Sequence, residues 1–266
     1  MKKLLFFIWV AVLLVSCGEY QQLLKSEDYQ LVYKKAIEYY NKGDYQRSLN
    51  LLDGIRTVFT GTTKAPNIAY YRAFCSYNLK DYQYASELFK QFIQTYPESS
   101  FAEECLFMMG FCDYKASPKP RLDQQVTEKA LNELQLYLNR YPNSSRKEKV
   151  NGYMDELRDK LSYKAYLSAR NYYIREYYKA AVISLQNCLK DYPGSKFREE
   201  VMYMLFIAKY ELARNSVEEK KLERYNNARE EYYYFTDEYP ESQYAAEMKK
   251  KYEDINDYLK SYKYDD

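Results

Sequence analysis

Tyr96-Pro97-Glu98-Ser99 recurs along the chain as Tyr141-Pro142-Asn143-Ser144, Tyr192-Pro193-Gly194-Ser195 and Tyr239-Pro240-Glu241-Ser242. The prolines are 45, 51 and 47 residues apart, and a degenerate copy, Phe59-Thr60-Gly61-Thr62, precedes the first by 37. Proline lacks an N–H and disfavours helical backbone in the residue before it, so each copy ends a helix. The Ser two residues on can accept from the unpaired N–H groups that open the next helix. Ser100…Glu103 and Ser145…Glu148 add the spacing of a capping box. Such punctuation at intervals near 40 residues marks an array of helix pairs.

Within each interval the residues keep the phase of a 34-residue tetratricopeptide repeat with insertions. In the second copy Ala73, Tyr82, Ala85, Phe89 and Pro97 fill the small, aromatic, small, large and proline positions. Ala36, Tyr45, Ser48, Leu52 and Thr60 repeat them 37 residues earlier. The third copy has Gly110, Ala130, Leu134 and Pro142, with 8 extra residues between its helices around Ser117–Arg121. The fourth has Ala169, Tyr178, Ala181, Leu185 and Pro193, with a first helix elongated through Met154, Leu157 and Leu161. The fifth has Ala228, Tyr232, Phe235 and Pro240 after a charged insertion near Glu218–Arg224. Met248, Tyr252, Ile255, Leu259 and Tyr262 form one apolar helical stripe, as a terminal cap requires. The expected fold is all-α, a right-handed α-solenoid of about five tetratricopeptide-like helix pairs plus a C-terminal capping helix. Repeats 1–3 occupy 28–143; repeats 4–5 and the cap occupy 144–266.

The N-terminus reads as an address. Lys2 and Lys3 precede Leu4–Val15, an apolar run that carries the only Trp, Trp9. At about 12 residues the run is too short to span a bilayer and has the length of a signal-peptide core. It ends in Leu14-Val15-Ser16-Cys17, which resembles the bacterial lipoprotein box. Residues 1–16 are then a signal peptide, Cys17 the lipidated residue and 17–27 a short tether. Gly18 stands where an Asp would resemble an inner-membrane retention signal, which favours the outer membrane.

Charge and composition exclude several function classes. The chain has 40 basic and 38 acidic residues, and removing residues 1–16 takes away two Lys and no acid. A balanced chain has no general pull toward nucleic acid. Histidine is absent, which removes His-dependent nucleophile systems and the usual zinc sites. No metal and no cofactor is expected. Cys75, Cys105, Cys112 and Cys188 read as small core residues, with a Cys75–Cys112 bridge as the alternative; Cys105 and Cys112 lie two helical turns, about 10 Å, apart and cannot pair. Glu103-Glu104 and Glu199-Glu200 are the only enzyme-like feature. Both pairs fall in first turns, where the helix dipole favours an acid, and adjacent residues point about 100° apart. No catalytic residue is expected.

The aromatic residues carry more information. At positions that line the concave surface of such solenoids stand Tyr33/Tyr70/Phe107, Ile37/Phe74/Phe111 and Tyr40/Tyr77/Tyr114, each member 37 residues from the last. Asn41 and Asn78 follow, where an amide can hold a peptide backbone. None of these positions is Lys, the residue that clamps a C-terminal carboxylate in such grooves. The series reads either as a groove for an extended aromatic peptide or as rings packed between helices.

With these features the chain resembles the BamD family of outer-membrane assembly lipoproteins in its Bacteroidetes form, over nearly the whole mature chain. The most specific stretch is Met154-Asp155-Glu156-Leu157-Arg158-Asp159-Lys160-Leu161, then Lys164-Ala165-Tyr166, Ala169-Arg170-Asn171-Tyr172-Tyr173 and Leu189-Lys190-Asp191-Tyr192-Pro193. The start Cys17-Gly18-Glu19-Tyr20-Gln21-Gln22-Leu23-Leu24-Lys25 also resembles the family. The resemblance implies a non-enzymatic subunit on the periplasmic face of the outer membrane. It would dock on the periplasmic domains of a BamA-like barrel protein through its C-terminal repeats. Its N-terminal repeats would capture unfolded outer-membrane proteins through C-terminal aromatic signals. Phe59-Thr60 departs from the family's Tyr-Pro, and Ser184 stands where enterobacterial relatives have a basic residue. Two competing readings are a periplasmic tetratricopeptide scaffold for envelope division or peptidoglycan synthesis, and an envelope hydrolase using the Glu pairs. Division scaffolds of that kind usually carry a coiled coil and lack a lipoprotein box.

Overall fold

The Tyr-Pro-x-Ser stretches build one recurring corner. Tyr96, Tyr141, Tyr192 and Tyr239 each close a helix with φ between −127° and −132° and ψ between 57° and 68°, off helical backbone as the next proline demands. The N–H of the Ser then reaches the Tyr carbonyl at 3.1–3.3 Å. Its hydroxyl accepts the N–H two residues on: Phe101 to Ser99 at 3.3 Å, Arg146 to Ser144 at 3.3 Å, Phe197 to Ser195 at 3.2 Å and Tyr244 to Ser242 at 3.1 Å. Thr62 takes the same part for Lys64 at 3.3 Å. The first corner differs as its missing proline leads one to expect: its helix stops at Ile55, and turns carry the chain through Gly61, which has φ 78°.

The computed structural model describes residues 18–262, so the signal peptide and Cys17 lie outside the described residues. A short helical segment at 18–24 precedes the pairs α1 (Tyr29–Asn41) and α2 (Tyr45–Ile55), α3 (Ala65–Asn78) and α4 (Tyr82–Thr95), and α5 (Ala102–Ala116) and α6 (Gln125–Arg140). The pairs α7 (Lys147–Ile174) and α8 (Tyr178–Asp191), and α9 (Arg198–Arg214) and α10 (Glu218–Glu238), follow, and α11 (Ala245–Tyr262) ends the array. The described residues are all-helical, five pairs and a cap. The charged insertion at Glu218–Arg224 lengthens α10. Asp28 before the first pair, and Asp44 and Asp81 inside pairs, accept the N–H three residues on and so cap α1, α2 and α4. The turn between paired helices places Gly43, Lys80 and Glu176 at φ 81°, 65° and 60°.

The helices group into two compact units. The first runs to Pro118 and resumes over Asp123–Leu157; the second holds Lys119–Leu122 and continues from Arg158. Helix α7 therefore serves both: Val150, Met154 and Leu157 enter the core of the first unit, and Tyr166 and Ala169 that of the second. In the first unit each helix from α1 to α6 packs on the next, and in the second α8 to α11 do the same. The small positions Ala36, Ala73, Ala85, Ala130, Ala169, Ala181 and Ala228 are all fully buried. At Gly110 the approach is closest, because an added Cβ would stand 3.0 Å from the Leu134 backbone N.

One expectation is corrected, and the choice left open for the cysteines is settled. Neither capping box forms: Phe101 holds the N-cap position of α5 with no side-chain bond, and the Ser99 and Ser144 hydroxyls take the N–H groups instead. The Cys75–Cys112 bridge is not made. All four cysteines are free and buried, and burial pushes the Cys75 thiol up to about 11 and raises the other three. They are core residues. The Glu pairs sit in the first turns of α5 and α9.

A buried polar cluster lies between α5 and α6, where Lys129 Nζ stands 2.8 Å from Asp113 and 3.6 Å from Glu133. Burial, then the hydrogen bond and charge of Asp113, push the Glu133 carboxyl up to about 8 from 4.5. A proton held more tightly in the folded state contributes stability that is full below the unfolded value and is lost as pH rises through the folded one. Urea unfolding is expected to show stability falling from pH 6 to pH 9, with Glu133→Gln flattening that slope. An unchanged slope in the variant would exclude Glu133 as its source. Gly110→Ala gains about 1 kcal/mol of helix propensity, but overpacking against backbone costs about 1–3 kcal/mol. A net loss of up to about 2 kcal/mol is expected by the same measurement.

Candidate peptide-binding face

The first helices of the first three pairs, α1, α3 and α5, carry the aromatic series, and the structure connects most of it. Tyr40 meets Tyr71 at 4.9 Å between ring centroids, and Tyr71 meets Tyr70 at 5.5 Å. Tyr70 lies 4.5 Å from Phe74, which is 6.4 Å from Tyr77. Tyr77 continues to Phe111 at 6.2 Å, and Phe111 stacks on Phe107 and Tyr114 at 5.4 and 5.7 Å. Tyr33 stands apart with Phe59 at 6.2 Å, under the Lys64 ammonium at 5.1 Å. Rings at 4.5–7 Å in tilted or offset arrangements attract one another beyond their buried area.

Both readings of the series hold, residue by residue. Phe107 is buried against Tyr137 and belongs to the core, whereas Phe74 is half-buried and packs edge-on against the buried Phe89 at 5.1 Å. Tyr33, Ile37, Tyr40, Tyr70, Tyr77, Phe111 and Tyr114 are half-buried and keep part of their surface open. Asn41 is exposed. Asn78 donates to the Phe74 carbonyl at 2.8 Å and bonds the Tyr40 hydroxyl, so its amide is engaged inside the chain. Three rings that the 37-residue spacing does not select join the face: Tyr71, Phe101 (4.4 Å from Tyr70) and Tyr153 (4.5 Å from Tyr114). Tyr71 is adjacent to a selected residue, Phe101 belongs to a corner, and Tyr153 lies beyond an insertion that breaks the period.

Charge frames the rings. The Tyr70 hydroxyl donates to Glu104 at 2.8 Å and Tyr114 to Glu156 at 2.5 Å. The Arg146 guanidinium lies 5.2 Å over Phe107, and the ammoniums of Lys115 and Lys149 lie 5.4 Å over Phe111 and 5.9 Å over Tyr153. Burial first, and neighbouring groups second, push the Tyr40 hydroxyl up to about 12; the bond to Glu156 first, then burial, does the same for Tyr114. These hydroxyls are neutral donors at physiological pH. A cavity of about 230 Å³ also opens in this unit beside α3 and α4, but it is lined by residues such as Arg56, Ile68, Arg72 and Gln91 and by none of the expected groove residues. Among the described residues no cluster of His, Cys, Asp and Glu has the arrangement to hold a metal ion.

Corners, small-residue contacts and an aromatic face on alternate helices define a tetratricopeptide-type array of helix pairs. The profile of the outer membrane lipoprotein family YfiO matches residues 25–200 and again 165–265. The chain belongs to that family. Among solved structures, the TPR2AB-domain:pHSP90-complex of yeast Sti1 covers 86% of this chain and 98% of its own length, at 13% identity and a TM-score of 0.40. No curated protein matches the chain.

The division between buried and exposed positions of the expected groove is measurable. Phe107→Ala is expected to cost about 3–5 kcal/mol in urea unfolding, as buried aromatic truncations do. Asn41→Ala is expected to stay within about 0.5 kcal/mol. Equal effects would contradict the assignment.

Proposed function

We propose that this outer membrane lipoprotein is a non-enzymatic scaffold of β-barrel assembly, anchored through Cys17 on the periplasmic face of the outer membrane. Its N-terminal repeats capture unfolded outer-membrane proteins by their C-terminal aromatic strands. Its C-terminal repeats dock on the periplasmic domains of a BamA-like barrel protein. The carrying observation is the run of half-buried tyrosines across α1, α3, α5 and α7 in a chain of this family. An extended peptide rich in aromatic residues can extend the existing ring contacts. The carboxylates fit the scaffold reading, because each is engaged structurally. Glu103 accepts from Ser144 at 2.8 Å, Glu104 from Tyr70, Glu200 from Tyr166 at 2.9 Å and Glu199 from Ser242 at 2.6 Å.

Replacing Tyr40, Tyr77 and Tyr114 together by Ala is expected to weaken binding of C-terminal barrel peptides by at least about tenfold, since each ring contact contributes about 0.5–1.5 kcal/mol. Fluorescence anisotropy on the folded triple variant checks this, and unchanged affinity would remove the groove assignment. Pull-down of the native protein in mild detergent is expected to bring a BamA homologue with it. Recovery of a division or cell-wall protein in its place would contradict the proposal.

A further inference from the structure

Residues 18–24 are folded onto the first helix pair. Tyr20 and Leu23 are 8% and 6% exposed and join the core formed by Val32, Ala36, Leu49 and Leu52. The Tyr20 hydroxyl accepts from Asn50 Nδ2 at 3.0 Å, and its ring meets the edge of Tyr39 at 5.9 Å under the Arg47 guanidinium at 5.3 Å. Glu19 pairs with Lys35 at 3.0 Å, and Lys35 pairs also with Glu38 at 3.3 Å. Backbone bonds from Lys25 to Gln22 at 3.1 Å and from Ser26 to Leu23 at 3.2 Å close the segment and turn the chain back into α1.

This changes what a lipid on Cys17 does. A free tether over 18–27 would have an r.m.s. reach of roughly 16–19 Å. The docked segment leaves only the Cys17–Gly18 step, about 3.8 Å between Cα atoms. Resting on the reading that Cys17 carries the lipid, we infer that residues 18–24 are a membrane clamp. They hold the side of the first helix pair that carries Lys35, Tyr39 and Arg47 against phospholipid headgroups. Lys35 pairs with Glu19 and Glu38 and Arg47 with Asp44 at 3.3 Å, so the cations on this side are already neutralised within the chain, and the half-buried Tyr39 suits the interface, with an apolar ring and a polar tip.

The test uses the full-length lipidated protein in phosphatidylethanolamine–phosphatidylglycerol vesicles that carry a headgroup-level nitroxide quencher. A fluorophore is placed by Gln46→Cys, one residue from Arg47; Cys75, Cys105, Cys112 and Cys188 are buried and leave the new thiol to react. A second protein carries a 15-residue Gly/Ser insertion between Gly18 and Glu19, which adds roughly 19–23 Å of r.m.s. reach and keeps the contacts of Tyr20 and Leu23. Quenching is expected to be at least threefold stronger without the insertion. Equal quenching on a protein whose Cys17 peptide shows the acyl mass would overturn the clamp alone. A Cys17 peptide without that mass would overturn the anchoring reading and the clamp with it.

Discussion

A serine hydroxyl at a proline-terminated corner is the contact on which the rest of the array depends. The proline ends one helix and leaves the next to start with unpaired N–H groups. Ser144 meets that need in more than one direction. It accepts from Arg146 N–H, shares a hydrogen bond of 2.6 Å with the buried Tyr137 and donates to Glu103 on the preceding helix pair. One side chain thus joins the end of α6, the start of α7 and the first turn of α5. In the second unit Ser242 bonds Tyr244 N–H and Glu199 in the same way. Glu103 and Glu199, one from each of the pairs that resembled catalytic carboxylates, are the receiving half of these staples. Their position in a first turn, where the dipole favours a negative charge, suits them to it.

The same geometry explains why the aromatic face exists. Each corner sets the spacing between consecutive first helices, and the small residues set how closely a pair approaches. Rings on the faces of α1, α3, α5 and α7 then fall within stacking distance. They must be large enough to cover the seam between helices, yet those at its outer edge keep part of their surface open. Tyrosine meets both demands, since its ring packs and its hydroxyl finds a carboxylate. Tyr70 with Glu104 and Tyr166 with Glu200 show the device twice, once in each unit.

Much of this was legible in the sequence because helix pairs leave periodic traces. The proline corners, the small positions and the buried cysteines follow from spacing and residue size alone. The capping boxes did not form, because the corner serine reaches the N–H groups first and leaves Ser100 outside. A longer period was present but unread. Tyr70, Lys80, Phe101, Glu103 and Glu104 have counterparts 96 residues on at Tyr166, Glu176, Phe197, Glu199 and Glu200. Phe101 packs on Tyr70 and Phe197 on Tyr166, both at 4.4 Å. Insertions of different length hide that relation from any single repeat spacing. They also hid Tyr153 from the aromatic series, whereas Asn78 was selected by spacing although its amide is already engaged. The docking of 18–24 has no periodic trace, since it rests on Tyr20 and Leu23 finding a preformed core.

The central claim is that the corner serine and the carboxylate of the preceding pair act as one unit. A double-mutant cycle of Ser144→Ala and Glu103→Gln, read by urea unfolding of the full chain, tests it most directly. Hydrogen bonds to charged groups contribute about 1.5–3 kcal/mol, less where solvent reaches them. A coupling energy of about 1 kcal/mol or more is therefore expected, with the double variant scarcely worse than either single one. Additivity within about 0.3 kcal/mol would contradict the account.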